Sequence, residues 1–171
     1  MVSGAINTWA VFRFALGYPG ETHRALLAEM CETEPPALEE LRALYIDLFE
    51  AGLPQPKCPM LESAWLLNRP AGEVVLENKL FYQHFGLEID GRAAPDHLLT
   101  QLEFLAWLEH CQATSASDPE SIKLARTDFL ERHLSHWIGS LTHLARNANG
   151  GCYAEVLEDL AREVQSAQSE V

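Results

Sequence analysis

Apolar residues recur along the chain with the period of an α-helix. In 36–51, Leu38, Leu41, Tyr45 and Leu48 stand at i, i+3, i+7 and i+10 with Leu44 beside them, so one stripe of a helix is apolar. Pro35 and Pro36 sit at its start, where proline is tolerated. Glu39 and Glu40 favour its positive N-terminal end, and Gly52 and Pro54 stop it. A second helix is predicted from Pro95-Asp96, with Leu98, Leu102 and Leu105 apolar and Thr100, Gln101 and Glu103 on the polar side. A third covers 118–146. Asp118 is a natural N-cap, Pro119 fits the first helical position, and Leu130, Leu134, Trp137, Leu141 and Leu144 share one face. Asn149-Gly150-Gly151 ends that region, and a last helix carries Tyr153, Val156, Leu157, Leu160 and Val164. Weaker patterns predict helices over about 5–16 (Ile6, Trp9, Phe12, Leu16), 20–32 (Leu26, Leu27, Met30) and 71–85 (Val74, Val75, Phe81).

No run alternates long enough to predict a strand closed by an Asn-Gly or Asp-Gly turn. The expected fold is therefore all-α, one domain over 1–171, built as a bundle of six to eight helices. Two segments interrupt the helices. In 52–63, Pro54, Pro56 and Pro59 impose a stiff, extended path, and 86–95 is a turn-rich link. Scaffolded connections of this kind often carry function.

Composition narrows the classes. Hydrophobic residues make up 47% of 171 residues, enough for a core, yet no run of 18 apolar residues occurs that would span a membrane. Met1-Val2-Ser3-Gly4-Ala5 lacks the basic start of a signal peptide, so the protein is expected to stay cytoplasmic. Cys31, Cys58, Cys111 and Cys152 form no Cys-x-x-Cys pair and are expected to be reduced thiols. The net charge is −13. Such acidity keeps a small protein soluble. It also repels nucleic acid and suits a basic partner.

Catalytic signatures are missing: there is no phosphate loop, no Gly-x-Ser-x-Gly elbow and no His-Glu-x-x-His. His133, His136 and His143 fall on one side of the predicted 118–146 helix, but His143 lies roughly 10 Å beyond His136 along the axis, too far to share an ion. The Asp96-His97 pair reads either as a proton relay or as a helix start.

Pro95-Asp96-His97-Leu98, followed by Gln101-Leu102-Glu103-Phe104-Leu105, resembles the Pro-Asp-His-Leu…Glu-Leu-x-Phe-Met signature of the TorD/DmsD/NarJ family. Leu41-x-x-x-Tyr45-x-x-Leu48-Phe49, the proline-rich stretch and Glu62-Ser63 resemble a second block of that family. Phe81-Tyr82-x-x-Phe85-Gly86-Leu87 and Phe129-Leu130-x-x-His133-Leu134-x-x-Trp137 resemble two more. Together they cover roughly residues 38–140.

The resemblance implies an all-helical chaperone, not an enzyme, with no metal or cofactor of its own. Such a chaperone binds the N-terminal segment of a molybdopterin oxidoreductase catalytic subunit, commonly a twin-arginine leader, until its cofactor is inserted. The client is expected to be of the dimethyl sulfide, ethylbenzene, selenate or chlorate type, and the chaperone a monomer or homodimer. A receptor for such a leader needs an apolar floor and an acidic rim. On that resemblance Asp96 and His97 are expected to shape a hinge before the long helix, and Pro95, Asp96 and His97 to contact the client peptide. Tyr45, Glu62, Tyr82, Glu103 and Trp107 are expected to line or border the groove. Two other readings stand beside it: a metal-binding bundle using His133, His136 and Cys111, and a plain adaptor without a redox client.

Overall fold

A computed structural model describes residues 7–114 and 118–169. Eight α-helices run through them: α1 Thr8–Ala15, α2 His23–Met30, α3 Leu38–Tyr45, α4 Ala71–His84, α5 Leu98–Thr114, α6 Pro119–Arg132, α7 Ile138–Asn147 and α8 Cys152–Gln168. Among the described residues no strand forms, and one isolated antiparallel bridge joins Leu61 to His97. The all-helical expectation is met. Residues 5 and 6 of the first predicted helix, and the whole of 1–5, lie outside the described residues.

Local chemistry explains where helices start. The Asn7 side chain accepts the Ala10 N–H at 2.9 Å and caps α1. Asp118 caps α6 through the Ser121 N–H, with Pro119 in the first turn as predicted. Gly151, at φ 54°, makes the left-handed turn that lets α8 fold back on α7.

Tertiary packing sets the rest. Helix α5 lies between α1 and α6, and α8 packs on α7, α6 and α1. The core runs from Trp9 and Phe12 through Leu102, Leu105 and Phe129 to Leu157, Leu160 and Val164. Each such side chain, taken from water, contributes roughly 1.5–3 kcal/mol before chain entropy is counted.

Four sequence expectations need correction. Helix α3 starts at Leu38, and the stretch that follows it, Ile46–Glu50, widens into a π-type turn closed by Ala51 N–H on Ile46 O. Helix α5 starts at Leu98 and not at Pro95, because Pro95–His97 turns back to pair with the proline-rich segment. Gln101 is fully buried, not on a polar face. Its amide faces Glu62 and Asn78, so the 62–64 turn and α4 cover that side of α5. Finally, the predicted 118–146 helix is broken: α6 ends at Arg132, a short 3₁₀ turn covers Leu134–His136, and α7 begins at Ile138. His133 leaves helical geometry at φ −119°, ψ −85°. The break turns its imidazole toward Glu62 and stacks Trp137 on Trp65, with ring centroids 6.4 Å apart. The three histidines therefore do not share a face: His133 is buried, whereas His136 and His143 are exposed.

The four cysteines are free thiols. Burial pushes Cys31 up to about 12 and both Cys58 and Cys152 up to about 11, so they stay protonated and unreactive.

Candidate functional site

The proline-rich segment is pinned to the start of α5 from both sides. The Glu62 N–H donates to Asp96 O at 3.0 Å, and the Leu98 N–H donates to Met60 O at 2.8 Å. Asp96 is buried, and its carboxylate accepts the Ser63 N–H at 3.1 Å, so it caps the short Glu62–Ala64 turn and not its own helix. His97 Nδ1 accepts the Leu99 N–H at 3.2 Å, and burial lowers its pKa against the opposing pull of Asp96. Asp96 and His97 thus serve two different backbone groups and are not arranged as a proton relay.

Behind this corner Glu62, with no solvent exposure, anchors a buried polar network. Its carboxylate receives Gln101 Nε2 at 2.7 Å and Asn78 Nδ2 at 2.8 Å, and lies 3.0 Å from His133 Nδ1. The two amide hydrogens of Asn78 are used on Glu62 and on Val74 O, so His133 Nδ1 carries the proton that it donates to Glu62. Gln101 Nε2 also donates to Asn78 Oδ1 at 2.9 Å. The Tyr82 hydroxyl donates to Pro95 O at 2.8 Å, with Asn78 Oδ1 a longer contact at 3.3 Å. Burial, reinforced by the Glu62 and Asp96 charges, holds the Tyr82 phenol well above its ordinary range and keeps it a donor. Four segments are thereby locked together: the proline-rich loop, α4, α5 and the end of α6.

In front of this network lies an open cleft of about 290 Å³ between the 86–95 link and α5. Its floor is Tyr82, Leu87, Ile89, Phe104 and Trp107. Tyr82 meets Phe104 edge-on at 4.9 Å, and Trp107 stacks on Phe104 at 6.2 Å. Its rim carries three carboxylates, Glu88, Asp90 and Glu103. All three are exposed. Glu103 is held by Arg13 of α1 at 3.1 Å. Asp90 accepts the Arg92 N–H. A second cleft, between α4 and α6, is lined by Leu80, Phe81, His84, Phe85, Ala125 and Asp128, and lacks such an acidic rim.

Of the residues singled out in the sequence, Tyr82, Glu103 and Trp107 line the first cleft. Pro95 and His97 are half-buried at the corner behind it, and Glu62 and Asp96 are wholly inside. Tyr45 is elsewhere, packed edge-on against Phe49 and Tyr153, and burial raises its phenol to about 12. Sequence reasoning missed Asn78, Gln101, Glu88 and Asp90. Asn78 and Gln101 had a signal: each is a polar residue at the spacing of buried apolar neighbours, Val74 and Tyr82 in α4, Leu98 and Leu105 in α5. No group of three His, Cys, Asp or Glu side chains that could hold a metal ion occurs among the described residues, so His133, His136 and Cys111 are not gathered. No described helix is long and apolar enough to cross a membrane.

Comparison with known proteins adds a family. The family described as nitrate reductase delta subunit matches residues 17–143. The chain is 35% identical over 147 residues to the selenate reductase assembly chaperone protein of Thauera selenatis, covering 81% of this chain and 72% of that one. It is 39% identical over 110 residues to the chlorate reductase assembly chaperone protein of Ideonella dechloratans, covering 60% of this chain and 57% of that one. It is 29% identical to the dimethyl sulfide dehydrogenase assembly chaperone protein of Rhodovulum sulfidophilum, covering 82% and 68%. The fold is shared with a crystal structure from Archaeoglobus fulgidus of a chain described as a redox enzyme maturation protein. The TM-score there is 0.51 at 21% identity, covering 87% of this chain and 97% of that one.

Proposed function

The chain belongs to the nitrate reductase delta subunit family, and from that premise we propose that it is an assembly chaperone that holds the catalytic-subunit precursor of a molybdopterin reductase or dehydrogenase. The client is of the kind that the relatives' names point to: a selenate, chlorate, perchlorate or dimethyl sulfide enzyme. It acts in the cytoplasm by binding, with no reaction of its own. The part of the precursor it grips is the N-terminal leader, an arginine pair followed by an apolar run.

The observation that carries this reading is the cleft beside the Pro95–Leu98 corner, with five apolar or aromatic residues below and three carboxylates above. An apolar side chain entering it leaves water, and a neighbouring guanidinium meets a carboxylate in partly excluded solvent. The buried Glu62 network keeps α4 and α5 at a fixed separation, so the cleft is preformed and little ordering is needed on binding. A dissociation constant near about 1 μM, or about 8 kcal/mol, suits a chaperone that must both hold and release.

The test is co-purification with the precursor, followed by calorimetric titration with its N-terminal peptide. Binding at micromolar strength, weakened at least tenfold by Asp90→Lys with Glu103→Lys, is expected. A precursor that associates only through its mature part, with the leader peptide silent, would overturn the reading.

A further inference from the structure

The three rim carboxylates are not equivalent. Glu88 and Asp90 make no ion pair among the described residues, whereas Glu103 already faces a guanidinium: Arg13 Nη2 lies 3.1 Å from Glu103 Oε2. Arg13 comes from the last turn of α1, which packs along α5 and is tied to it by Asn7 Nδ2 donating to Ala106 O at 2.8 Å. Both partners are well exposed, Arg13 at 46% and Glu103 at 66% of the side chain, so neither is locked by packing. The pair touches through one nitrogen and one oxygen only. It leaves unused the two-point fork that an arginine and a carboxylate can form.

We propose that Arg13 is an internal stand-in for the partner's arginine: it occupies Glu103 in the free protein and is displaced when a basic segment docks in the cleft. This rests on the leader-binding reading above and concerns the same cleft. An incoming guanidinium exchanges the one-point pair for a two-point pair, and Arg13 swings into solvent. A segment that brings only one weak cation pairs with Glu88 or Asp90 and leaves Arg13 in place. The contact therefore sets a threshold against casually basic chains.

The experiment is a double-mutant cycle on the whole chain, with Arg13→Gln, Glu103→Gln and the double variant. The probe is a synthetic peptide with an arginine pair followed by a leucine–alanine run, titrated by calorimetry. A second peptide, with glutamines in place of the arginines, serves as control. Arg13→Gln is expected to tighten the arginine peptide about two- to fivefold, the worth of one exposed ion pair. It should not move the glutamine peptide, and the gain should vanish at high salt. In the Glu103→Gln background the same change should do nothing. That last arm separates the proposal from a general charge effect, which would persist there. If wild-type protein binds the arginine peptide and Arg13→Gln leaves it unchanged or weakens it, the stand-in role is wrong and the leader reading survives. If wild-type protein binds no such peptide, both fall. Melting curves of the variants guard against misfolding, since loss of an exposed pair moves stability little.

Discussion

Glu62, expected from the sequence to line or border the groove, lies wholly inside the protein and serves its packing. A carboxylate with no exposure receives three N–H donors, from Asn78, Gln101 and His133. Replacing it leaves those donors facing nothing or one another. Glu62→Gln is expected to lower the unfolding free energy by about 2–4 kcal/mol in urea denaturation, because it presents an amide N–H₂ to existing donors. A loss below about 1 kcal/mol would mean that the network relaxes freely. His97 and His23 add a pH signature. Each accepts a backbone N–H at Nδ1, from Leu99 and Gly20, and burial is the first cause that lowers each below 6.5. The unfolded chain takes up these protons near 6.5, while the folded chain needs a lower pH. Between the two values the unfolded state binds more protons, so stability rises with pH there and gains nothing further from them above about 6.5. Chemical denaturation from pH 5 to 8 should show that slope. His97→Asn, whose side-chain oxygen can take the Leu99 N–H, should reduce it to the share of His23.

Among the elements, the α7–α8 corner is sharply constrained. A Cβ built on Gly150 would lie 2.7 Å from Ala145 O, a backbone atom that closes α7 through the Gly150 N–H. Gly150→Ala must therefore move the corner, at a cost of about 1–3 kcal/mol in thermal or urea unfolding. Gly139, in the first turn of α7, has nothing within 4 Å of such a Cβ. Gly139→Ala should stabilise by about 0.4–1 kcal/mol by restricting the unfolded chain. Opposite signs from one substitution type, measured side by side, check the geometry of this hairpin. The break between α6 and α7 belongs to this scale too. Continuous helical spacing runs through Phe129, Leu130, His133, Leu134 and Trp137, and all five are buried, yet the backbone departs at His133. What accompanies it is the reach of His133 to Glu62, at the end of the proline-rich segment, and of Trp137 to Trp65, just after it.

The molecule as a whole carries −13, and the candidate cleft faces solvent with three of its carboxylates. The proposed binding of a basic leader should weaken as ionic strength rises, because exposed charges are screened over about 8–10 Å near physiological salt. The apolar floor should preserve a salt-independent remainder. Titrations between about 0.05 and 0.5 M salt are expected to show a falling affinity that levels off. Affinity flat across that range would assign the binding to the floor alone.

Much of this was legible in the sequence. Helix existence, the Asp118 cap with Pro119 beside it, the stripe of α8 and the family blocks from Tyr45 to Trp137 all depend on neighbours a few residues apart, and local spacing carries that information. So does the acidic character, which is a sum over residues. The tertiary structure alone decided that Gln101 is inside, that His133 ends a helix and that Asp96 caps a turn 33 residues away. It also decided that Glu88, Asp90 and Glu103 meet around one apolar floor while Tyr45 does not join them. Which side of a helix is wet depends on what packs against it. Contacts across 71 positions, such as Glu62 with His133, leave no mark in a helical period.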